Sequence, residues 1–225
     1  MNEIIDLLKK NPVFAPLAQN DLELMARQSV LRKYDAGEKV ILYGDVWPHL
    51  FLVGQGSVDA LKESGEGRTL LVSTFSTGDI FWGLAFFQDD APMPVTLEAN
   101  KPSQLFLWSR ETLEPILFRN GRAGWELCRL MAGRMQRASA ILEEMAFHPV
   151  AGRLAHLLLD HFEQAGDAAI SRHLTLDEMA ARIGSTREMV CRALYGFSDK
   201  KLIEVTRTEF VLTSREGLAR LVERA

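Results

Sequence analysis

Cysteine is scarce in these 225 residues: there are two, Cys128 and Cys191, far apart and both in helical patterns. That excludes a disulfide framework or a metal knuckle. With no Cys ahead of Cys128, an N-terminal cluster for an iron–sulfur centre is also excluded. Histidine is sparse as well. His49 is the only one between Val30 and Leu107, so haem would have a single candidate axial ligand. A cupin-like oxygenase, which needs two or three His and a carboxylate converging from strands, would lack its ligands. His156 and His161 are five apart, not on one helical face, and no metal site is expected. No apolar run approaches the roughly 18 residues of a membrane span. Met1–Asn11 lacks the basic start and apolar centre of a signal peptide, so a cytoplasmic protein with no membrane partner is expected. No Walker loop, GxGxxG or Ser/His/Asp set is present, and no catalytic residue is expected. Excess positive charge is missing too: Lys and Arg number 26 against 30 Asp and Glu, for a net charge of −4. From His148 to Ala225 the balance is 11 to 11. Any affinity for nucleic acid must therefore come from the placement of charge rather than its sum.

What is present centres on Leu174 to Ser198, LTLDEMAARIGSTREMVCRALYGFS. Thr175 and Glu178 have the spacing of a capping box. Met179, Ala180 and Ile183 form an apolar face, and Gly184 can end the helix in the left-handed C′ conformation. Ser185 or Thr186 can cap a second helix with Val190, Ala193 and Leu194 inside. Two short helices joined by a tight glycine turn make a helix-turn-helix. The outward face of the second carries Arg187, Glu188 and Arg192. Arg can bond guanine O6 and N7 together, and Glu can accept from the cytosine amine. These three are the candidate base-reading residues for double-stranded DNA. Lys200, Lys201 and Arg207, in and just past the motif, are candidate phosphate contacts. The plainer reading is a helical hairpin with solvated charges.

Around this motif the chain changes texture in order. Residues 1–28 read as helical, with Ile4, Leu7 and Leu8 in a stripe and Asn20 capping a second helix. Val30 to Leu107 alternates short β-rich runs with Gly, Asp and Pro turns, which predicts an antiparallel sandwich or barrel. The runs are Val40–Leu42, Leu50–Val53, Val58–Leu61, Leu70–Phe75, Val95–Ala99 and Gln104–Trp108, with the clearest hairpin turn at Ser64–Gly67. Arg110 to Phe147 reads as one continuous helix. Leu127, Met131, Ala138, Ile141 and Met145 recur on it at near-heptad spacing, broken by Arg134. That stripe predicts a homodimer through a coiled-coil-like seam, or else a helix packed on its own domain. Pro149 biases His148 out of helix and marks a hinge. After the helix-turn-helix, Leu202–Val205 and Phe210–Leu212 read as a two-stranded wing, and Thr213 and Glu216 begin a last helix. The expected domains are a β-roll over residues 1–115, a dimerisation helix over 116–147 and a winged helix-turn-helix over 148–225. The class is α+β.

This order of parts resembles the CRP/FNR family of bacterial transcription regulators. The resemblance covers nearly the whole chain. It is carried by Gly54–Gln55–Gly56–Ser57–Val58, by Gly78–Asp79, by Gly152–Arg153–Leu154–Ala155 and by Thr186–Arg187–Glu188–Met189–Val190–Cys191–Arg192. The last run is close to a recognition-helix pattern of Ser/Thr-Arg-Glu-x-Val-x-Arg. The resemblance implies an N-terminal jelly roll like a cyclic-nucleotide-binding domain. It implies a palindromic site with a TGTGA- or TTGAT-like half, read by Arg187, Glu188 and Arg192 with Thr175 and Thr186 touching phosphate, and regulation through contact with RNA polymerase.

The same resemblance exposes a departure. Cyclic-AMP binders of the family carry Gly-Glu and later Arg-Ser in the phosphate cassette. Here Trp82–Gly83 and Met93–Pro94 stand at those places, and Ala138 replaces an adenine-facing Thr. A buried phosphate without its Arg would be left desolvated and unpaired. No cyclic AMP is therefore expected, and no other cofactor. Phe81, Trp82, Phe86, Phe87, Met93, Leu97 and Ala138 would line an apolar effector pocket, or fill it as core in a protein that binds DNA constitutively.

Overall fold

The structure is a computed structural model that describes residues 2–166, 169–171 and 174–223. The chain divides into two compact units, residues 1–62 with 72–136, and 63–71 with 137–225.

Helices α1 (Asn2–Lys10) and α2 (Gln19–Gln28) lead into a six-stranded antiparallel sheet that lies in the first unit except for its residues within 63–71. Its strands are β1 (Val30–Tyr34), β2 (Lys39–Ile41), β3 (His49–Glu63), β4 (Thr69–Ser76), β5 (Ile80–Trp82) and β6 (Thr96–Ser109). The main path runs β1-β6-β3-β4, with β2 on β6 and β5 on β3. Two strands are longer than the runs expected from the sequence. Leu50–Val53 and Val58–Leu61 are one strand, β3, and Val95–Ala99 and Gln104–Trp108 belong largely to one strand, β6. The β3–β6 register shifts between Val53 and Val58, around Gly54–Gly56, so the glycines mark β-bulges that bend the strand without ending it. Ser64–Gly67 does turn the hairpin: Gly67 N–H donates to the Ser64 carbonyl at 2.9 Å. Helix α2 begins at Gln19, and Asn20 lies inside it rather than capping it.

The helix expected from Arg110 to Phe147 is two, α3 (Arg110–Arg119) and α4 (Gly121–Phe147). Asn120 breaks it. Its backbone leaves the helical region, and its Oδ1 accepts from Ala123 N–H at 3.0 Å, capping α4. Along α4, Ala123 and Leu127 are buried, and Leu130 and Met131 pack with them on the core formed with α1, α2 and the sheet. Leu127 and Met131 were expected on a dimer seam; this face of the helix serves its own domain. A second stripe points outward. Trp125, Cys128, Ala132, Met135, Ser139, Leu142 and Ala146 are all exposed and recur at alternating steps of three and four. Helix α4 thus carries two apolar stripes, and composition alone could not rank them.

The second unit holds α5 (Val150–Ala165), α6 (Leu176–Arg182), α7 (Arg187–Asp199) and α8 (Arg215–Glu223). It also holds a three-stranded sheet of β7 (Ala169–Ser171), β8 (Ile203–Val205) and β9 (Glu209–Leu212), ordered β7-β9-β8. The wing was expected as β8 and β9; β7 adds an edge strand of three residues, too short to signal by alternation. Leu154, Leu158, Phe162, Met179, Ile183, Val190, Leu194, Phe197, Phe210 and Leu218 form its core.

Candidate nucleic-acid interface

The helix-turn-helix is assembled by local chemistry. Thr175 Oγ1 accepts from Glu178 N–H at 3.1 Å and Glu178 Oε2 accepts from Thr175 N–H at 2.6 Å, closing the capping box. Gly184 takes φ +59°, and Ser185 N–H reaches back to the Ala180 carbonyl at 2.9 Å, the six-to-one bond of a Schellman turn. Thr186 then caps α7, accepting from Met189 N–H at 3.3 Å. With Val190, Leu194 and Phe197 buried beneath, the opposite face of α7 is fixed outward.

That face holds Arg187, Glu188 and Arg192, all exposed. Arg192 donates to Glu188 Oε1 at 2.7 Å, and Arg187 donates to Asp177 Oδ2 at 2.9 Å. Both pairs lie in solvent and contribute little to stability. They hold the guanidinium groups over the N-terminal half of α7, the half of a recognition helix that reaches base edges. Thr186 keeps its hydroxyl proton available at the same end. Thr175 donates its own to Glu178 Oε2 at 2.9 Å, so its hydroxyl is already engaged. Lys200 and Lys201 are exposed just past α7, and Arg207 is exposed in the turn between β8 and β9. Lys201 sits at φ +55°, which sharpens the exit from the helix.

Three contributors were not anticipated. Tyr195 is 74% exposed, one turn beyond Arg192 on the same face; the i+3 spacing could have revealed it. Asp177 orients Arg187 and belongs to a different helix. Arg153 is buried; it donates through Nε to the Ile183 carbonyl at 2.8 Å and through Nη1 to the His148 carbonyl at 2.7 Å. It ties the start of α5 to the turn of the motif, which gives the Gly152–Arg153 run a physical role.

The sensor residues are placed differently from the expectation of a lined pocket. Phe81, Met93 and Leu97 are buried in one core cluster and Phe86 in another, so they fill the domain rather than wall one cavity. Phe87 is 46% exposed, and Ala138 is exposed on α4. Trp82 is half-buried and lies beside Phe87, edge to face at 5.7 Å. His49 is half-buried against the Trp47 ring at 5.5 Å, and burial holds its imidazole below the ordinary pKa. Among the described residues no group of three His, Cys, Asp or Glu could hold a metal, and no helix is long and apolar enough to cross a membrane.

Comparison with known proteins agrees with this arrangement on both sides of the chain. Residues 31–120 match the cyclic nucleotide-binding domain family, and residues 152–221 match the Crp-like helix-turn-helix domain. Together the two spans take in more than two thirds of the chain. The chain belongs to the CRP/FNR family of transcription regulators. Among the relatives of this CRP/FNR protein is the CRP-like cAMP-activated global transcriptional regulator of Mycobacterium tuberculosis. It is 24% identical over 222 residues, covering 96% of this chain and 98% of its own. The cAMP-activated global transcriptional regulator Vfr of Pseudomonas aeruginosa is 27% identical over 182 residues, covering 77% of this chain and 85% of its own. The c-di-GMP responsive global regulator CLP of Xanthomonas campestris has the same fold. Its TM-score is 0.75 at 22% identity, over 87% of this chain and 99% of that one. The protein is thus a DNA-binding transcription regulator of the CRP/FNR type rather than an enzyme.

Proposed function

We propose that this regulator works as a homodimer on a two-fold DNA site and that its sensor region takes no cyclic nucleotide. The observation that carries the first part is the outward Arg187–Glu188–Arg192 face of α7. A single such face reads one half-site of a few base pairs; a palindrome needs two copies about 34 Å apart. The exposed stripe of α4 supplies a pairing surface. Trp125, Met135 and Leu142 are 66%, 71% and 69% exposed, and the stripe from Trp125 to Ala146 to which they belong advances by the alternating steps of three and four residues of a left-handed coiled coil. Thr186, Lys200, Lys201 and Arg207 contact phosphate, and Tyr195 extends the base-facing edge. Once on a promoter, the dimer acts through RNA polymerase.

The second part rests on sterics. Gly83 stands where a ribose-binding Glu would be. A Cβ there would come within 1.9 Å of the Trp47 carbonyl oxygen, so this position cannot carry a side chain without moving the backbone. Met93, in the place of the phosphate-binding Arg, is buried among apolar side chains, where an unpaired cation would be costly. The relatives' activation by cAMP therefore does not transfer to this chain.

Selection from random duplexes tests both parts. The expected product is an inverted repeat with half-sites about 10 base pairs apart, bound by a dimer and unaffected by cyclic AMP. A non-repeated site bound by a monomer would overturn the dimer, and tightening by cyclic AMP would overturn the sensor reading.

A further inference from the structure

One arginine of α4 is stacked on aromatic rings of the β-roll. The Arg134 guanidinium lies over two aromatic rings, with its Cζ 4.3 Å from the centroid of Trp82 on β5 and 5.0 Å from that of Phe75 on β4. One of its Nη groups donates to the Ile80 carbonyl. Behind the cage the rings continue as a ladder, Phe75 on Phe81 at 4.8 Å and Phe81 on Phe51 at 4.5 Å. Two ring faces and a carbonyl dipole are what recognises a weakly hydrated organic cation, and a planar guanidinium stacks on such faces better than an ammonium. The cage is built on the cassette strand β5, and its occupant comes from α4.

We propose that Phe75, Trp82 and the Ile80 carbonyl form a binding site for small planar organic cations, and that Arg134 is its resident, tethered ligand. The inference rests on the reading that this sensor region takes no cyclic nucleotide. Arg134 then supplies from within the chain the contact between cassette and long helix that an effector would otherwise make. The tether gives it a high effective concentration, so free cations enter only when the side chain is removed.

The test uses the full-length protein and methylguanidinium as probe. R134A is expected to bind the selected duplex about tenfold more weakly than wild type, the scale of two partly desolvated cation–π contacts. Millimolar methylguanidinium restores most of the loss, whereas equal NaCl does not, because added salt weakens phosphate contacts. The double variant R134A/W82L is not restored. Tryptophan fluorescence of R134A responds to methylguanidinium, and that of R134A/W82L does not. Wild-type affinity in R134A overturns the proposal, as does a loss that methylguanidinium leaves unchanged or that NaCl repairs equally. Should R134A fail to fold, W82L with Arg134 in place is read instead: it must lose affinity similarly, and unchanged binding overturns the proposal. If even the wild type selects no two-fold site, the functional reading fails by itself, and the fluorescence response alone decides the cage.

Discussion

The outer face of α7 and the aromatic interior of the β-roll use their side chains in opposite ways. On α7 the functional groups are exposed, held by solvated ion pairs and supported from below by Val190 and Leu194. In the β-roll the residues that stand in the sensor cassette are themselves the support: Phe81, Met93 and Leu97 are core. A substitution on α7 removes recognition and leaves the fold. Replacing one of these three core residues costs stability before it can reveal anything about sensing. A surface that meets a ligand as large as DNA can be separated from packing, whereas an interior that has closed on itself cannot.

Phe81→Ala tests whether the β-roll interior is closed. The ring is buried and stacked between Phe51 and Phe75. Its loss should cost about 3–5 kcal/mol of stability, read from chemical denaturation. A loss below about 1 kcal/mol would mean that the cassette is loosely packed and that a pocket opens there after all.

Glu188→Ala is the counterpart on α7. Its carboxylate is exposed and pairs with Arg192 in solvent, so stability should stay within about 0.5 kcal/mol. Discrimination at one base pair of each half-site should fall by about 1–3 kcal/mol in competition binding. An unchanged sequence preference would remove Glu188 from the readout.

The two regions also differed in how much of them the sequence made legible. The helix-turn-helix was readable because its determinants are local: a capping pair three residues apart, a glycine at the turn, and apolar positions on a helical period. Residues Thr175, Glu178, Gly184 and Thr186 do what their spacing implied. The β-roll was readable as a class but not strand by strand, because Gly54 and Gly56 look like turn residues and act as bulges within β3. On α4 the near-heptad spacing pointed to a single stripe, Leu127 to Met145, and missed the exposed one from Trp125, because the neighbouring sheet and α1 decide which face turns inward. Arg134 looked like a defect in one stripe; its partners Phe75, Trp82 and Ile80 lie more than fifty residues away in the chain.

Two histidines are expected to contribute mildly to the pH dependence of stability. His49 in the β-roll and His161 on α5, in the unit that carries α7, are both partly withdrawn from water. Burial lowers both pKa values below the ordinary 6.5, aided at His161 by the nearby Arg182 charge and opposed at His49 by Glu111. A depressed folded-state value means that the unfolded chain takes up the proton first as pH falls. Stability therefore declines on acidification through the unfolded value near 6.5 and levels off below the folded value. The Nδ1 of His49 is buried without a hydrogen-bond partner among the described residues, which adds to the cost of charging that ring. His49→Gln and His161→Gln should each flatten part of the decline between pH 7 and the acid range, measured by denaturant unfolding at stepped pH. A decline that neither substitution changes would show that both rings are solvated in the folded protein. A change only with His161→Gln would show that the β-roll admits water at the Trp47 edge, and the closed interior set against α7 would no longer be closed there.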